Sequence, residues 1–266
     1  MKYLIFIFSL LFFSTGPEAK IPYPYWKKIS LNLNDWHGVP IKIVMVSDLH
    51  LGHGLQKKFM QSIVERINEK NPDLVVIAGD LTSMNAHTIK DMLSPLKDLK
   101  TKQGIYFVPG NHDYYHGLEI LLDVLPQLNV TALVNRNVII KKQFNLVGLG
   151  DTTGRREHYL PPDYQAAFEG IDNNLPTILL THKPRQIRSA DTRVDLALAG
   201  HTHNGQILPL KGFAKLYDHY LYGLYKFPGN RFVYVSSGAG VSQGIPFRMA
   251  TNSEIVEIDL GGKEFQ

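Results

Sequence analysis

The sequence predicts an α/β fold built from two packed sheets, and three observations predict it. From Ile41 onward, short β-branched runs alternate with amphipathic helical segments; the first runs recur at the length of a βαβ unit; and the second half is rich in strands with fewer helices. The runs 41–46 (IKIVMV), 74–78 (LVVIA) and 105–108 (IYFV) lead to Asp48, Asp80 and Asn111. Leu55, Phe59, Met60, Ile63, Val64 and Ile67 recur between the first two at helical spacing, and Asn71-Pro72 closes that helix. A spacing of 31 to 32 residues between the strand ends makes these strands parallel, with right-handed crossovers. Their carboxyl ends then share one edge, where open α/β sheets bind ligands. Further strands are expected at 137–140, 144–149, 177–180, 194–199, 232–236 and 255–259, forming a second sheet packed on the first. No repeat or linker divides residues 21–266, which are read as one domain.

Composition narrows the function classes. Of 266 residues, 44% are apolar and 20% charged, with Gly and Pro scattered, which excludes a disordered or collagenous chain. The absence of cysteine removes disulfides, zinc-thiolate sites, iron-sulfur clusters and a cysteine nucleophile, so any metal must sit on His, Asp, Asn or Glu. The formal charge is +4, of which Lys2 and Lys20 against Glu18 supply +1. The remaining +3 is too weak to argue for nucleic acid, and no nucleic-acid partner is expected.

Lys2 precedes an apolar run from Leu4 to Phe13, broken only by Ser9, and small polar residues follow from Ser14 to Ala19. That is the order of a secretory signal. Ten helical residues rise about 15 Å, half of the roughly 30 Å hydrocarbon core, which speaks against a single-pass anchor. Pro17 disturbs both candidate cleavage points, after Gly16 and after Ala19, so an uncleaved membrane-associating segment is the alternative to a signal peptide for residues 1–20. The protein is therefore expected to be exported or membrane-associated, at the outer face of the inner membrane, with the cytoplasmic face left open.

The chemistry lies immediately after the strands: Asp48-Leu49-His50, Gly79-Asp80, Gly110-Asn111-His112-Asp113, Thr181-His182-Lys183-Pro184 and Gly200-His201-Thr202-His203. A lone Asp after a strand is usually a turn residue, and a lone His is usually a satisfied surface or core residue. A given tetrapeptide, however, arises by chance in about two per thousand chains of this length. Two of them, with Asp-x-His and His182, all on one sheet edge, are not accounted for by turn chemistry. Three oxygen donors (Asp48, Asp80, Asn111) and four imidazoles (His50, His182, His201, His203) suffice for two divalent ions if one carboxylate bridges. Mixed N/O donors favour Mn, Fe, Zn, Co or Ni over Mg and Ca. Such a pair, about 3.5 to 4 Å apart, can activate a water and clamp both oxygens of an in-line displacement at phosphorus.

The set SDLH, GD, GNHD, TH and GHTH, in this order, resembles the calcineurin-like metallophosphoesterases over about residues 41–260. The resemblance implies a four-layered α/β/β/α sandwich of two mixed sheets with a dimetal site at its strand ends, and metals of the Mn, Zn or Fe type. It implies one ion on Asp48, His50, Asp80 and His203, and a second on Asp80, Asn111, His182 and His201, with Asp80 bridging. His112 is then the catalytic imidazole that assists the leaving group, and Asp113 orients it. Ser83 stands where purple acid phosphatases carry a tyrosine ligand, and His112 where the cytosolic lipid A pathway diphosphatases carry Arg. GHTHNGQILP, the aromatic stretch after it and the closing SSGAG, PFR and EIVEIDL segments are similar to the exported or membrane-associated bacterial phosphodiesterase branch.

The expected reaction is hydrolysis of a phosphodiester or pyrophosphate bond, with a lipid-linked substrate and peripheral membrane contact as extensions. Hydrolysis of UDP-2,3-diacylglucosamine is the rival activity, and a non-catalytic metal-binding scaffold the rival class. Phe213, Leu216, Tyr217, Tyr220, Leu221, Tyr222, Leu224, Tyr225 and Phe227 crowd a short stretch that suits either a membrane interface or a core cap. Arg155-Arg156, after a strand, can bind phosphate bidentately, although solvated arginines are commoner. His53 and His116 lie near ligand motifs, while His37, His87, His158 and His219 are read as surface or core residues.

Overall fold

The computed structural model describes residues 23–34, 36–52, 55–189, 193–205, 218–241, 248 and 251–261. The expected signal segment, His53 and Phe213, Leu216 and Tyr217 of the aromatic-rich stretch lie outside the described residues. Among those described, no helix is long and apolar enough to cross a membrane.

Among the described residues, twelve strands form two six-stranded mixed sheets. The first sheet contains β1 (Tyr25–Leu31), β2 (Ile41–Val46), β3 (Leu74–Ala78), β4 (Ile105–Val108), β5 (Val130–Ala132) and β12 (Glu254–Leu260), in the order β1-β12-β2-β3-β4-β5. Strands β2 to β5 run parallel, as the βαβ spacing predicts, and β12 pairs antiparallel with β2. The second sheet contains β6 (Arg136–Ile140), β7 (Phe144–Gly148), β8 (Thr177–Leu180), β9 (Leu196–Ala199), β10 (Gly223–Phe227) and β11 (Arg231–Val235), ordered β10-β11-β9-β8-β7-β6. Here β7, β8, β9 and β11 are parallel, and both edge strands are antiparallel.

Period-two alternation assigns each strand face to a layer. Ile43 and Met45 of β2, Leu74 and Val76 of β3, and Ile178 and Leu180 of β8 meet in the core between the sheets, with Phe144 and Tyr234. The alternate residues Val44, Val46, Val75 and Ile77 face outward onto α1 (Lys57–Glu69), whose Met60, Ile63, Val64 and Ile67 are buried at i, i+3, i+4 and i+7, and onto α2 (Ala86–Leu93). On the far side Leu179, Ala197, Val233 and Val235 pack beneath α5 (Tyr164–Phe168). The result is helix, sheet, sheet, helix.

Two differences from the sequence reading have physical causes. The closing strand β12 does not join the second sheet; it sits inside the first, between β1 and β2. Its pairing is long-range, and nothing local in the sequence encodes it. The strands β1, β5 and β10 were not anticipated: β1 and β10 are edge strands with several exposed positions, and β5 has only three residues. None shows the buried apolar run that marks the central strands.

Candidate metal centre

Every candidate ligand follows the carboxyl end of a central strand. Asp48 and His50 follow β2, Asp80 follows β3, and Asn111 opens α3 (Asn111–Tyr115) after β4. His182 follows β8, and His201 and His203 follow β9. The two sheets thus bring their strand ends to one place. Loop amides pin the first set across the sheet: Asp48 N–H donates to Gly79 O at 2.9 Å and His50 N–H to Asp80 O at 2.9 Å.

The backbone there is held out of its ordinary range. Asp48, His50, Asp80, His201 and His203 all have φ between 46° and 73°, in the left-handed region. Such conformations cost about 1 to 3 kcal/mol each and persist where surrounding structure enforces them, commonly at functional sites. Gly79, at φ 80°, lets the chain turn with His182 Nδ1 and Gly110 N packed where a Cβ would project. A Cβ on Gly110 would overlap the Asp80 carboxylate, so glycine there is a requirement of close approach.

The donor atoms converge. Asp80 Oδ2 lies 3.2 Å from His182 Nε2 and 3.7 Å from His50 Nε2. His50 Nε2 faces His203 Nε2 at 3.0 Å, His182 Nε2 faces His201 Nδ1 at 3.2 Å, and His203 Nε2 lies 3.4 Å from Asp48 Oδ1. Among the described residues, three groups have ligand atoms all within 4.8 Å of one another: Asp48, His50 and His203; Asp80, His182 and His201; and His50, Asp80 and His112. Asn111 adds an oxygen, since its Oδ1 is buried and has no hydrogen-bond partner among the described residues. An orphaned amide oxygen beside paired imidazoles and carboxylates is the donor set a pair of divalent ions takes, and the residues fit that cofactor.

Second-sphere contacts fix the rings. His182 Nδ1 donates to Ala78 O at 2.9 Å, and His50 Nδ1 lies 2.8 Å from Ser83 Oγ, which leaves Nε2 of each ring aimed at the site. The Asp48 carboxylate accepts from His201 N–H at 3.0 and 3.2 Å. Arg248 donates to the carbonyls of Ser237, Gly238 and Gly240, and its Nη2 lies 3.3 Å from His203 Nδ1. Sequence reasoning gave no role to Arg248, which stands in the closing PFR segment of the resemblance, or to Ser83.

Electrostatics differ across the site. Burial pushes His50 down to about 4 and His203 well below its ordinary value. It raises the Asp48 carboxyl to about 6 and that of Asp113 to about 7. Burial disfavours charge on Asp80 and His182 as well, but their mutual attraction outweighs it: Asp80 falls well below the usual carboxylate range and His182 rises to about 10.

The expected pairing of Asp113 with His112 is corrected by the geometry. Asp113 Oδ2 accepts from Gly110 N–H at 2.8 Å, and Oδ1 from Thr82 N–H at 3.0 Å and Thr82 Oγ1 at 3.3 Å. His112 Nδ1 is buried and has no partner among the described residues. Neighbouring positions on a helix point about 100° apart, so Asp113 turns back to cap α3 rather than toward the adjacent ring. His112 itself is at the site: its N–H donates to Asp80 Oδ1 at 2.8 Å, and its ring lies edge-on 4.7 Å from that of His50. The His116 ring is 6.0 Å from that of His112, and His219 contacts Arg188 away from the ligands.

Residues 41–205 match the family described as calcineurin-like phosphoesterases. The chain is 45% identical over 222 residues to a Helicobacter pylori protein named an uncharacterized metallophosphoesterase, covering 83% of this chain and 60% of that protein. It is 36% identical over 232 residues to a Danio rerio "transmembrane protein with metallophosphoesterase domain", covering 83% of this chain and 53% of that one. The chain therefore spans only 53 to 60% of the length of these two relatives. Against the Escherichia coli phosphodiesterase YaeI the identity is 31% over 239 residues, covering 84% of this chain and 83% of that protein. This chain belongs to the calcineurin-like phosphoesterase family.

Proposed function

We propose that the chain hydrolyses a phosphodiester or pyrophosphate bond with two divalent ions, of which Mn, Zn and Fe best suit its mixed donors. Asp80 carries this reading. Its Oδ2 stands between His182 Nε2 at 3.2 Å and His50 Nε2 at 3.7 Å, so one carboxylate joins two ligand groups. Asp48, His50 and His203 would hold one ion, and Asn111, His182 and His201 the other, with Asp80 shared by both. When bound, such a pair supplies Lewis-acid activation of a water and neutralises charge during in-line displacement at phosphorus.

The remaining work falls to the chain. Ala78 O and Ser83 fix the ring orientations of His182 and His50. His112, held beside the ligands through its own N–H on Asp80, donates a ring N–H to the phosphoryl or leaving-group oxygen. Burial holds its pKa below the ordinary value, so near neutral pH it acts as a neutral donor. Asp113 is a positioning residue that fixes the Gly110 and Thr82 amides. YaeI, a relative named a phosphodiesterase, supports the diester class. The apolar run 4–13 and the transmembrane name of the Danio rerio relative support a membrane-associated setting and a lipid-linked phosphoester.

The test is hydrolysis of bis(p-nitrophenyl) phosphate by the full chain, stripped of metal and then resupplied with Mn or Zn. Metal-restored cleavage is expected. Two tightly bound ions with no cleavage of this diester or of a pyrophosphate diester would overturn the proposal.

A further inference from the structure

The segments after β7 and β8 meet beside the group of Asp80, His182 and His201. A cleft of about 350 Å³ opens there, bounded by Asn111 and His201 on the ligand side and by Thr152, Arg156, Lys183 and Arg185 on the other. That volume lies toward the lower end of the roughly 300 to 1,000 Å³ of small-molecule sites. We propose that this cleft binds a second anionic group of the substrate, next to the phosphoryl group under attack. Resting on the hydrolytic reading above, this narrows the substrate class to diesters of pyrophosphate over phosphodiesters flanked by neutral groups.

The wall of the cleft is built rather than incidental. Lys183 is buried, and its Nζ donates to Asp151 Oδ1 at 2.6 Å and to Thr153 Oγ1 at 2.9 Å. Asp151, fully buried, also accepts from Thr153 N–H at 2.7 Å. The Lys183 charge is therefore answered within the protein, and the pair braces the turn Thr152–Arg155 against the segment after β8. Two residues beyond Lys183, Arg185 Nη2 donates to Thr152 Oγ1 at 2.8 Å, which fixes its guanidinium at the cleft. Arg156 lies opposite, stacked 5.0 Å over the Tyr115 ring and paired with Glu157 Oε1 at 3.0 Å, with its side chain 68% exposed. Buried Asp218 also interacts electrostatically with Arg185 and Lys183.

The chemistry follows from what each part neutralises. The ligand group faces the scissile phosphoryl, so arginines outside it have no task on a substrate whose flanking groups are neutral. A guanidinium presents a planar fork of donors that matches a phosphate edge. Hydrolysis of a pyrophosphate diester breaks the P–O–P bridge: water oxygen joins one phosphorus, the bridging oxygen departs with the other, and two phosphate monoesters result. Arg185 and Arg156 hold the departing monoester and its growing charge. Of the sequence pair Arg155-Arg156, the second lines the cleft.

The experiment compares kcat/KM of the Mn-loaded full chain for P1,P2-diphenyl pyrophosphate and for bis(p-nitrophenyl) phosphate, taking variant-to-wild-type ratios so that intrinsic reactivity cancels. Arg185→Ala is expected to lose at least about tenfold more on the pyrophosphate than on the diester, the scale of one charge-assisted contact. Arg156→Ala, at an exposed position that spares folding, is expected to shift the ratio in the same direction. Equal losses on both substrates would assign the arginines to the scissile group, and no loss on either would leave the cleft without a role; both outcomes overturn the proposal. A wild-type chain that binds metal and cleaves neither substrate would instead sink the hydrolytic reading itself.

Discussion

The two ligand groups use the same residue types and hold protons differently. At Asp48, His50 and His203, burial dominates and lowers both imidazoles, His50 to about 4 and His203 well below its ordinary value. In the second group Asp80 and His182 are as deeply buried, yet the Asp80 carboxylate 3.2 Å from His182 Nε2 lifts that imidazole to about 10. Their surroundings also differ: the first group is backed by Ser83 and Arg248, and the second opens on the cleft of Arg185 and Arg156. Counting imidazoles therefore does not give the proton content of a site. The placement of one carboxylate does, and here the same carboxylate joins both groups.

The largest expected effect comes from removing that link. Asp80→Asn should lower diester hydrolysis by about 10³-fold or more, several kcal/mol of transition-state stabilisation, and reduce the ions retained per chain as measured by elemental analysis. Full metal retention would mean that Asp80 does not join the groups. His112→Ala comes next, with an expected loss of about 10²- to 10³-fold in kcat at unchanged metal content. If it empties the site instead, His112 is a ligand, as its proximity to His50 and Asp80 allows.

The proton difference sharpens the comparison through pH. His182, raised to about 10, is protonated in the metal-free protein across neutral pH, so an ion filling the second group must displace that proton. Affinity there should rise about tenfold per pH unit between pH 6.5 and 8.5, with about one proton released per chain in calorimetry run in two buffers. The first group, with His50 at about 4 and Asp48 at about 6, should show little dependence over the same range. Two ions with identical pH slopes would erase the contrast. The smallest effect is Ser83→Ala, which removes the 2.8 Å contact to His50 Nδ1 and should weaken the first ion about tenfold while sparing the second.

The site was more legible in the sequence than the fold around it. Asp48, Asp80, Asn111, His182, His201 and His203 each follow a short, largely buried apolar run, a pattern that points to one shared edge. What the sequence hid depends on direction and distance. Asp113 adjoins His112 in the chain, but helix geometry sends its carboxylate back to Gly110 and Thr82. Strand β12 reaches the first sheet through a pairing with β2 some two hundred residues away, which no local period records. Arg248 reaches His203 only once the chain has folded. The cleft likewise joins two loops that are unremarkable apart, and only their meeting through Lys183 and Asp151 gives Arg185 and Arg156 a common space.

The central claim is that two ions joined by Asp80 act as one hydrolytic unit. Titrating the stripped full chain with Mn while following bis(p-nitrophenyl) phosphate hydrolysis tests it most directly. Activity is expected to appear mainly with the second equivalent and to saturate at two. Full activity at one equivalent, or two bound equivalents without hydrolysis, would contradict it.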